Sequence, residues 1–170
     1  QAVLDVVADK VGIIKIQSAY FEIYGADGVA AFERLATSAR RRNLIVIADV
    51  KRGDIAATAE AYARAFLAPL AGHEHPLSDA MTVNPLFGTD GIQPFVETAR
   101  ENAGGIFVLV KTSNPTSTEI QDLDSDGRPV HEHIAGLLTR WSESAVGADY
   151  DSVGVVVGAT SGAVLRRIRE

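Results

Sequence analysis

The run Leu44-Ile45-Val46-Ile47-Ala48 leads directly into Asp49-Val50-Lys51-Arg52-Gly53-Asp54. An apolar run that stops at charges and a glycine marks a buried strand, with a helix about to begin. Alternate residues of a strand share a face. Ile45, Ile47, Asp49 and Lys51 therefore point one way, and Leu44, Val46, Ala48 and Val50 the other. An unbroken apolar run suits a strand covered on both faces. That would put Asp49 and Lys51 side by side in a low-dielectric interior, where opposite charges are costly even when paired. Charges kept there, at the C-terminal end of a strand, point to use.

A second strand has the same character. In Val11-Gly12-Ile13-Ile14-Lys15-Ile16-Gln17, Lys15 stands between two isoleucines. A lone lysine of this kind is ordinarily a strand-edge residue whose ammonium reaches water. Two strands ending in Lys and in Asp-x-Lys change that reading, because each supplies what the other lacks. Further strands are expected near 80–85, 105–111 and 153–159, beside those near 11–16 and 44–50. Between them lie stripes of helical period: Val29, Phe32, Ala36 and Ala39; Ile55, Ala59, Tyr62 and Phe66; Ile92, Phe95, Val96 and Ala99, with Asp90 as cap; and Ile134, Leu137, Leu138 and Trp141. Strands alternating with helices predict a parallel sheet with helices outside, either a barrel or a doubly wound sheet. The polar tract Asn114 to Arg128 is the longest expected loop, and such loops are commonly lids or binding loops.

Composition narrows the classes. The chain has 170 residues, 46% hydrophobic, enough for one domain with a sizeable core. A net charge of -6 argues against general binding to nucleic acid or to an anionic membrane, though not against an anionic small molecule. There is no cysteine, so disulfides, Cys-ligated zinc and thiol nucleophiles are excluded. No apolar run approaches the roughly 20 residues of a membrane span, and no leader pattern opens the chain; a cytoplasmic location is the expectation. His73-x-His75 and His131-x-His133 have the look of metal pairs. The second falls at a helix start, where i and i+2 do not share a face, and the first has no third ligand beside it, so neither is expected to bind metal.

The motifs together resemble those of the orotidine 5′-monophosphate decarboxylase family. Asp49-Val50-Lys51-Arg52-Gly53-Asp54-Ile55-Ala56-Ala57-Thr58 is similar to its Asp-x-Lys-x-x-Asp-Ile-x-x-Thr signature. Lys15-Ile16-Gln17-Ser18-Ala19-Tyr20-Phe21-Glu22 resembles the second-strand segment of its longer-chain subgroup. Thr82-Val83-Asn84-Pro85-Leu86-Phe87-Gly88, Thr112-Ser113-Asn114-Pro115 and Val157-Gly158-Ala159-Thr160 resemble its fourth-, fifth- and sixth-strand segments, in family order. The resemblance implies a (β/α)8 TIM barrel. Such barrels run to about 250 residues. With about five strand–helix units, residues 1–170 are expected to be one partial-barrel domain, without the family's first strand and its last two, which bring the phosphate grip. Expressed alone, this span is expected to be poorly soluble and inactive, because open sheet edges and uncovered apolar faces favour aggregation.

The resemblance also implies a chemistry and its residues. The reaction is loss of CO2 from C6 of a pyrimidine nucleotide in de novo UMP synthesis, with no metal or other cofactor. Lys15, Asp49, Lys51 and Asp54 would form an alternating charge array. Lys51 would stabilise the carbanion and protonate it, and Asp49 would lie against the substrate carboxylate and aim Lys51. Asp54 and Thr58 would act across the interface of a homodimer, and Ser113 would bond the pyrimidine edge. Unit charges about 4 Å apart interact by roughly 4 kcal/mol at an effective dielectric of 20, so several fixed in advance can drive such a step. Each assignment has an ordinary competitor. Asp49 and Lys51 could be a structural ion pair, Asp54 a helix N-cap, Thr58 a helical threonine and Ser113 a turn residue. Arg52 is expected to face solvent or an interface, and Gly158-Ala159-Thr160-Ser161-Gly162 could cradle a phosphate or be a plain turn. A metal-dependent sugar-phosphate decarboxylase or aldolase of the same superfamily, and a non-catalytic barrel module, are the alternatives. The first of these uses an acidic residue where this chain has Lys15.

Overall fold

In the computed structural model, residues 2–142 and 151–169 are described. In chain order the elements are α1 (Ala2–Val7), β1 (Ile13–Gln17), α2 (Ala19–Glu22), α3 (Gly25–Arg40), β2 (Ile45–Arg52), α4 (Ala56–Leu67), β3 (Ala80–Val83), α5 (Gly88–Glu101), β4 (Gly105–Lys111), α6 (Thr118–Gln121), β5 (Asp124–Ser125), β6 (Arg128–Pro129), α7 (Val130–Ser142), β7 (Val153–Val157) and α8 (Gly162–Arg169). Five strands form one sheet in the order β1-β2-β3-β4-β7, and every neighbouring pair is parallel. All five expected strands are present, with ends shifted by a residue or two. None of the described helices is long and apolar enough to cross a membrane.

The strands' period sorts their side chains as expected. Val46, Ala48 and Val50 of β2 are buried with the helices, in a core that includes Phe32, Ala36, Ala63, Leu67, Ile92, Phe95, Val96 and Trp141. The opposite face is not covered as the apolar run suggested: Ile13 and Ile45 are about half exposed, at 52% and 48%. Five parallel strands do not close a ring, and a barrel fills its interior with side chains only when all eight do.

Two helical stripes also differ from expectation. In α3 the buried face is Gly28, Phe32, Ala36 and Ala39, and Val29 is half exposed. The Phe21 carbonyl occupies the space where a Cβ on Gly28 would lie, so α2 packs onto α3 at Gly28 and turns Val29 outward. In α4 the buried residues are Ala59, Ala63 and Leu67, spaced by four, while Ile55 and Tyr62 lie outside that face. Asp90 is not a cap: α5 begins at Gly88, after a 3₁₀ turn over Pro85–Phe87, and Asp90 lies in its first turn. An acid there still suits the helix dipole.

The 114–128 tract is not a loop throughout. It holds a 3₁₀ turn (Pro115–Ser117), α6 and the β5–β6 hairpin. Asp126 and Gly127 at the hairpin tip both have positive φ (54° and 79°), which a tight two-residue turn requires and Asp-Gly favours.

The fourth stripe packs as expected around Trp141, which is 1% exposed. Its indole Nε1–H donates to Thr89 Oγ1 at 3.2 Å, and its carbonyl accepts from Arg100 at 2.9 Å, pinning α7 to α5. Trp141→Ala in the complete protein is expected to cost about 3–5 kcal/mol, read as a lower urea midpoint at unchanged slope. A shift below about 1 kcal/mol would mean that α7 is not part of the core.

Candidate active site

The charged residues of β1 and β2 meet at the C-terminal end of the sheet. Gln17 and Asp49 are register partners, and Lys15 lies one layer below. Lys15 Nζ donates to Asp49 Oδ2 at 2.5 Å, and Lys51 Nζ donates to Asp49 Oδ1 at 2.5 Å. Gln17 Nε2 adds a bond to Oδ2 at 3.1 Å, and Thr82 Oγ1 one to Oδ1 at 3.0 Å. One carboxylate thus receives four hydrogen bonds, two of them from ammonium groups. The Asp49 side chain is 8% exposed, whereas those of Lys15 and Lys51 are 53% and 43% exposed. The acid is buried and the two cations stand at the rim, where a ligand can reach them.

The backbone is bent to make this possible. The β2–β3 register slips between Ala48 and Arg52, and Lys51 has φ 46°. A non-glycine residue held there costs roughly 1–2 kcal/mol and persists only where its surroundings enforce it. Thr82 supplies the enforcement: its buried Oγ1 accepts from the backbone N–H of Val50 (3.0 Å) and of Lys51 (2.9 Å) while donating to Asp49. A hydroxyl has one donor and two acceptor sites, and all three are used.

Burial pushes the Asp49 carboxyl up, but the bonds from Lys15, Lys51 and Thr82 outweigh it and hold it below the usual carboxylate range. A depressed folded-state value means stabilisation that is present above the unfolded value, about 3.9, and lost as pH falls through the folded one. The stability margin of the wild-type complete protein over Asp49→Asn is therefore expected to stay level from about pH 7 to 5 and to shrink below about pH 4. A margin that closes between pH 7 and 5 would mean that the two lysines do not hold the carboxylate.

The other expected site residues lie on the same rim, apart from the array. Asp54 follows β2 directly, and its Oδ1 accepts from the Ile55 N–H at 2.8 Å. It is not the N-cap of α4; that position is Ile55. Thr58 is exposed in the first turn of α4, and Ser113 is exposed just past β4. Arg52 is partly exposed, at 30%; it pairs with Glu22 at 2.5 Å and lies over the Tyr62 ring at 5.7 Å. The Arg52 bond in turn holds the Glu22 carboxyl low, against its slight burial. Gln17 and Thr82 are not among the expected site residues. Gln17 is two residues beyond Lys15 on one strand face, a signal that period two carries, whereas Thr82 is a lone hydroxyl in an apolar strand whose bonding partners only the fold reveals.

The second histidine pair divides as its spacing implied. His131 is buried and His133 exposed; their rings contact the Gln121 and Ser125 carbonyl oxygens, each at 2.8 Å. Among the described residues no three His, Asp or Glu side chains gather as a metal site. A hollow of about 900 Å³ lies at the N-terminal ends of β2 and β3, lined by Arg40, Asn43, His73 and Asp79, away from the array.

A parallel strand–helix fold with its charged residues at the C-terminal strand ends has the layout of the β/α barrels, whose chemistry sits on that face. Comparison with known proteins makes the class specific. Residues 1–170 match the family model described as orotidine 5′-phosphate decarboxylase / HUMPS family, and the chain belongs to that family. It is 45% identical over 160 residues to an orotidine 5′-phosphate decarboxylase of Rhodopirellula baltica, covering 93% of this chain and 53% of that one. It is 46% identical over 160 residues to the enzyme of that name from Deinococcus radiodurans, covering 93% and 55%. The crystal structure of a candidate orotidine 5′-phosphate decarboxylase from Streptomyces avermitilis superposes with a TM-score of 0.84 at 40% identity, over 96% of this chain and 56% of that one. The fold is therefore that of the TIM-barrel decarboxylases, and the chain spans about half the length of the curated relatives it matches.

Proposed function

We propose that the complete protein decarboxylates orotidine 5′-monophosphate to uridine 5′-monophosphate, a step of de novo pyrimidine synthesis. The observation that carries this reading is Asp49 gripped by two lysines whose ammonium groups remain open to a ligand. The C6–carboxylate bond breaks, CO2 departs, and its electron pair stays on C6. Lys51 donates a proton to C6 and regains one from water. Asp49, buried and fixed, disfavours the substrate carboxylate and aims Lys51; Lys15 holds Asp49. The charges are in place beforehand, so little reorganisation is needed as charge develops at C6. Ser113 would bond the pyrimidine edge.

Asp54 and Thr58 act in this reading across the interface of a homodimer. Asp54 stands outside the array of its own chain, with exposed apolar side chains around it. The Phe87 ring lies within 3.5 Å of where a Cβ on Gly53 would be, and Phe87, Leu86 and Ile55 are 45%, 79% and 53% exposed. An apolar patch at a site rim fits burial by a second copy. Residues 1–170 would belong to one barrel domain of a cytoplasmic enzyme.

The metal-dependent sugar-phosphate alternative is disfavoured by Lys15. A cation bonded to Asp49 occupies the place where that chemistry needs an acid, and it competes with a metal for the same carboxylate. The test is turnover of orotidine 5′-monophosphate by the complete protein after exhaustive chelation. Undiminished loss of the substrate's ultraviolet absorbance is expected. Loss of activity that magnesium restores would transfer the protein to the metal-dependent class.

A further inference from the structure

The sheet has a third lysine in its strands, one that this chemistry does not use. Lys111 closes β4, and its side chain is only 7% exposed. Its Nζ donates to Asp122 Oδ1 at 2.6 Å. Beside it, the Thr112 N–H donates to Gln121 Oε1 (2.9 Å), and Gln121 Nε2 donates to Thr112 Oγ1 (2.8 Å). His131, also 7% exposed, sets Nδ1 2.8 Å from the Gln121 carbonyl and 3.1 Å from Asp122 Oδ1. Both neighbours are acceptors, so Nδ1 carries the hydrogen and donates. The Asp122 carboxyl is held low, chiefly by Lys111. These contacts join residues 111–112 to 121–122 and close the neck of the excursion 113–120.

Ser113 is the first residue beyond that neck. It has a second support on the other side. The Gly158 N–H donates to the Lys111 carbonyl at 2.7 Å, and a Cβ on Gly158 would come within 3.0 Å of the Ser113 N and Cα. The backbone of Ser113 is thus seated on the end of β7, in space that only glycine leaves open. Gly158 serves here as a seat for the loop. Burying a lysine is costly unless it is paired, and a methionine of similar length would pack there without that cost. What the ion pair adds is a single fixed geometry.

We propose that the neck of Lys111, Gln121, Asp122 and His131, together with Gly158, positions Ser113 against the pyrimidine of the substrate. The inference rests on the decarboxylase reading and on the contact that reading gives Ser113. These are positioning residues: Lys111, Gln121, Asp122 and His131 bind one another and Thr112, and Gly158 lies against the Ser113 backbone. A displacement of about 1 Å in a substrate-gripping group can cost on the order of 100-fold in rate.

The test is a double-mutant cycle on the complete protein, with steady-state kinetics on orotidine 5′-monophosphate and thermal unfolding for each variant. Lys111→Met and Ser113→Ala are each expected to lower kcat/KM by roughly 10- to 100-fold. The double variant should fall no further than Ser113→Ala alone, because the neck acts only through Ser113. Gly158→Ala, which pushes on Ser113 from β7, should couple to Ser113→Ala in the same way. Losses that add would make the neck merely structural and overturn the proposal, as would wild-type kinetics in Lys111→Met or in Ser113→Ala. If Lys111→Met fails to fold, Asp122→Asn, at a side chain 36% exposed, takes its place in the cycle with the same expectations. A wild-type protein without turnover would overturn the decarboxylase reading and this inference with it. Turnover with additive losses would overturn this inference alone.

Discussion

Lys51→Ala in the complete protein is expected to lower decarboxylation by roughly 10⁴-fold or more while leaving the fold intact. Two contributions vanish together. A positioned proton donor supplies about 10²- to 10⁴-fold, and a fixed charge aimed at the developing carbanion about 10²- to 10³-fold. The fold should survive because the Lys51 side chain is 43% exposed and its bond to Asp49 is one of four that Asp49 receives. The backbone bend at Lys51 should survive too, since Thr82 accepts from its N–H and not from its side chain. Alanine at φ 46° adds no new kind of strain, lysine being an L-residue as well. The check is turnover of purified variant and wild type, followed by ultraviolet absorbance beside matched circular dichroism. Turnover within tenfold of wild type would remove Lys51 from the chemistry and reduce the array to a structural ion pair.

Mixing two inactive proteins is expected to restore activity. In the proposed dimer, Lys51→Ala would remove the proton donor from each chain's own site, and Asp54→Ala the acid that each chain would lend to its partner. In a mixed dimer one site carries both lesions and the other carries neither. Random exchange at equal concentrations makes half the dimers mixed, so about a quarter of all sites should be intact. The motive is structural: Asp54 bonds the Ile55 N–H just beyond β2, while Lys15 and Lys51 close on Asp49. The measurement is specific activity after exchange, with mass spectrometry of the intact dimers to show that mixing occurred. Mixed dimers without recovery would place Asp54 in its own subunit's site.

The core of the site was legible because it obeys the simplest rule of strands. Period two placed Asp49 and Lys51 on one face, and Lys15 and Gln17 share a face of the neighbouring strand, with Gln17 in register with Asp49 and Lys15 one layer below. The rest depends on features that periodicity does not contain. Lys51 reaches Asp49 from a left-handed backbone, beside a register slip held by Thr82, and nothing in Ala80-Met81-Thr82-Val83 announces that the hydroxyl will replace a ladder bond. Lys111 resembles Lys15 in being a lysine within an apolar strand. Its partners are harder to read: Asp122 lies in the tract expected as a loop, and His131 beyond it, at the start of a helix. Serine, threonine and aspartate made that tract look irregular, although Asp126-Gly127 was a readable hairpin turn. The helical stripes failed where small residues set the packing. Gly28 and Ala63, not the larger Val29 and Tyr62, belong to the buried faces, because close approach of two helices rewards a small side chain or none.

These readings converge on one event, the replacement of a carboxylate at C6 by a proton that Lys51 delivers. The direct measurement is product analysis in deuterium oxide. The complete protein, freed of metal, is incubated with orotidine 5′-monophosphate labelled with carbon-13 at the carboxyl, and the nucleotide and released gas are examined by NMR and mass spectrometry. The account predicts one labelled CO2 per turnover and uridine 5′-monophosphate with a single deuterium at C6. Unchanged nucleotide under these conditions, or deuterium at any other carbon, would contradict it.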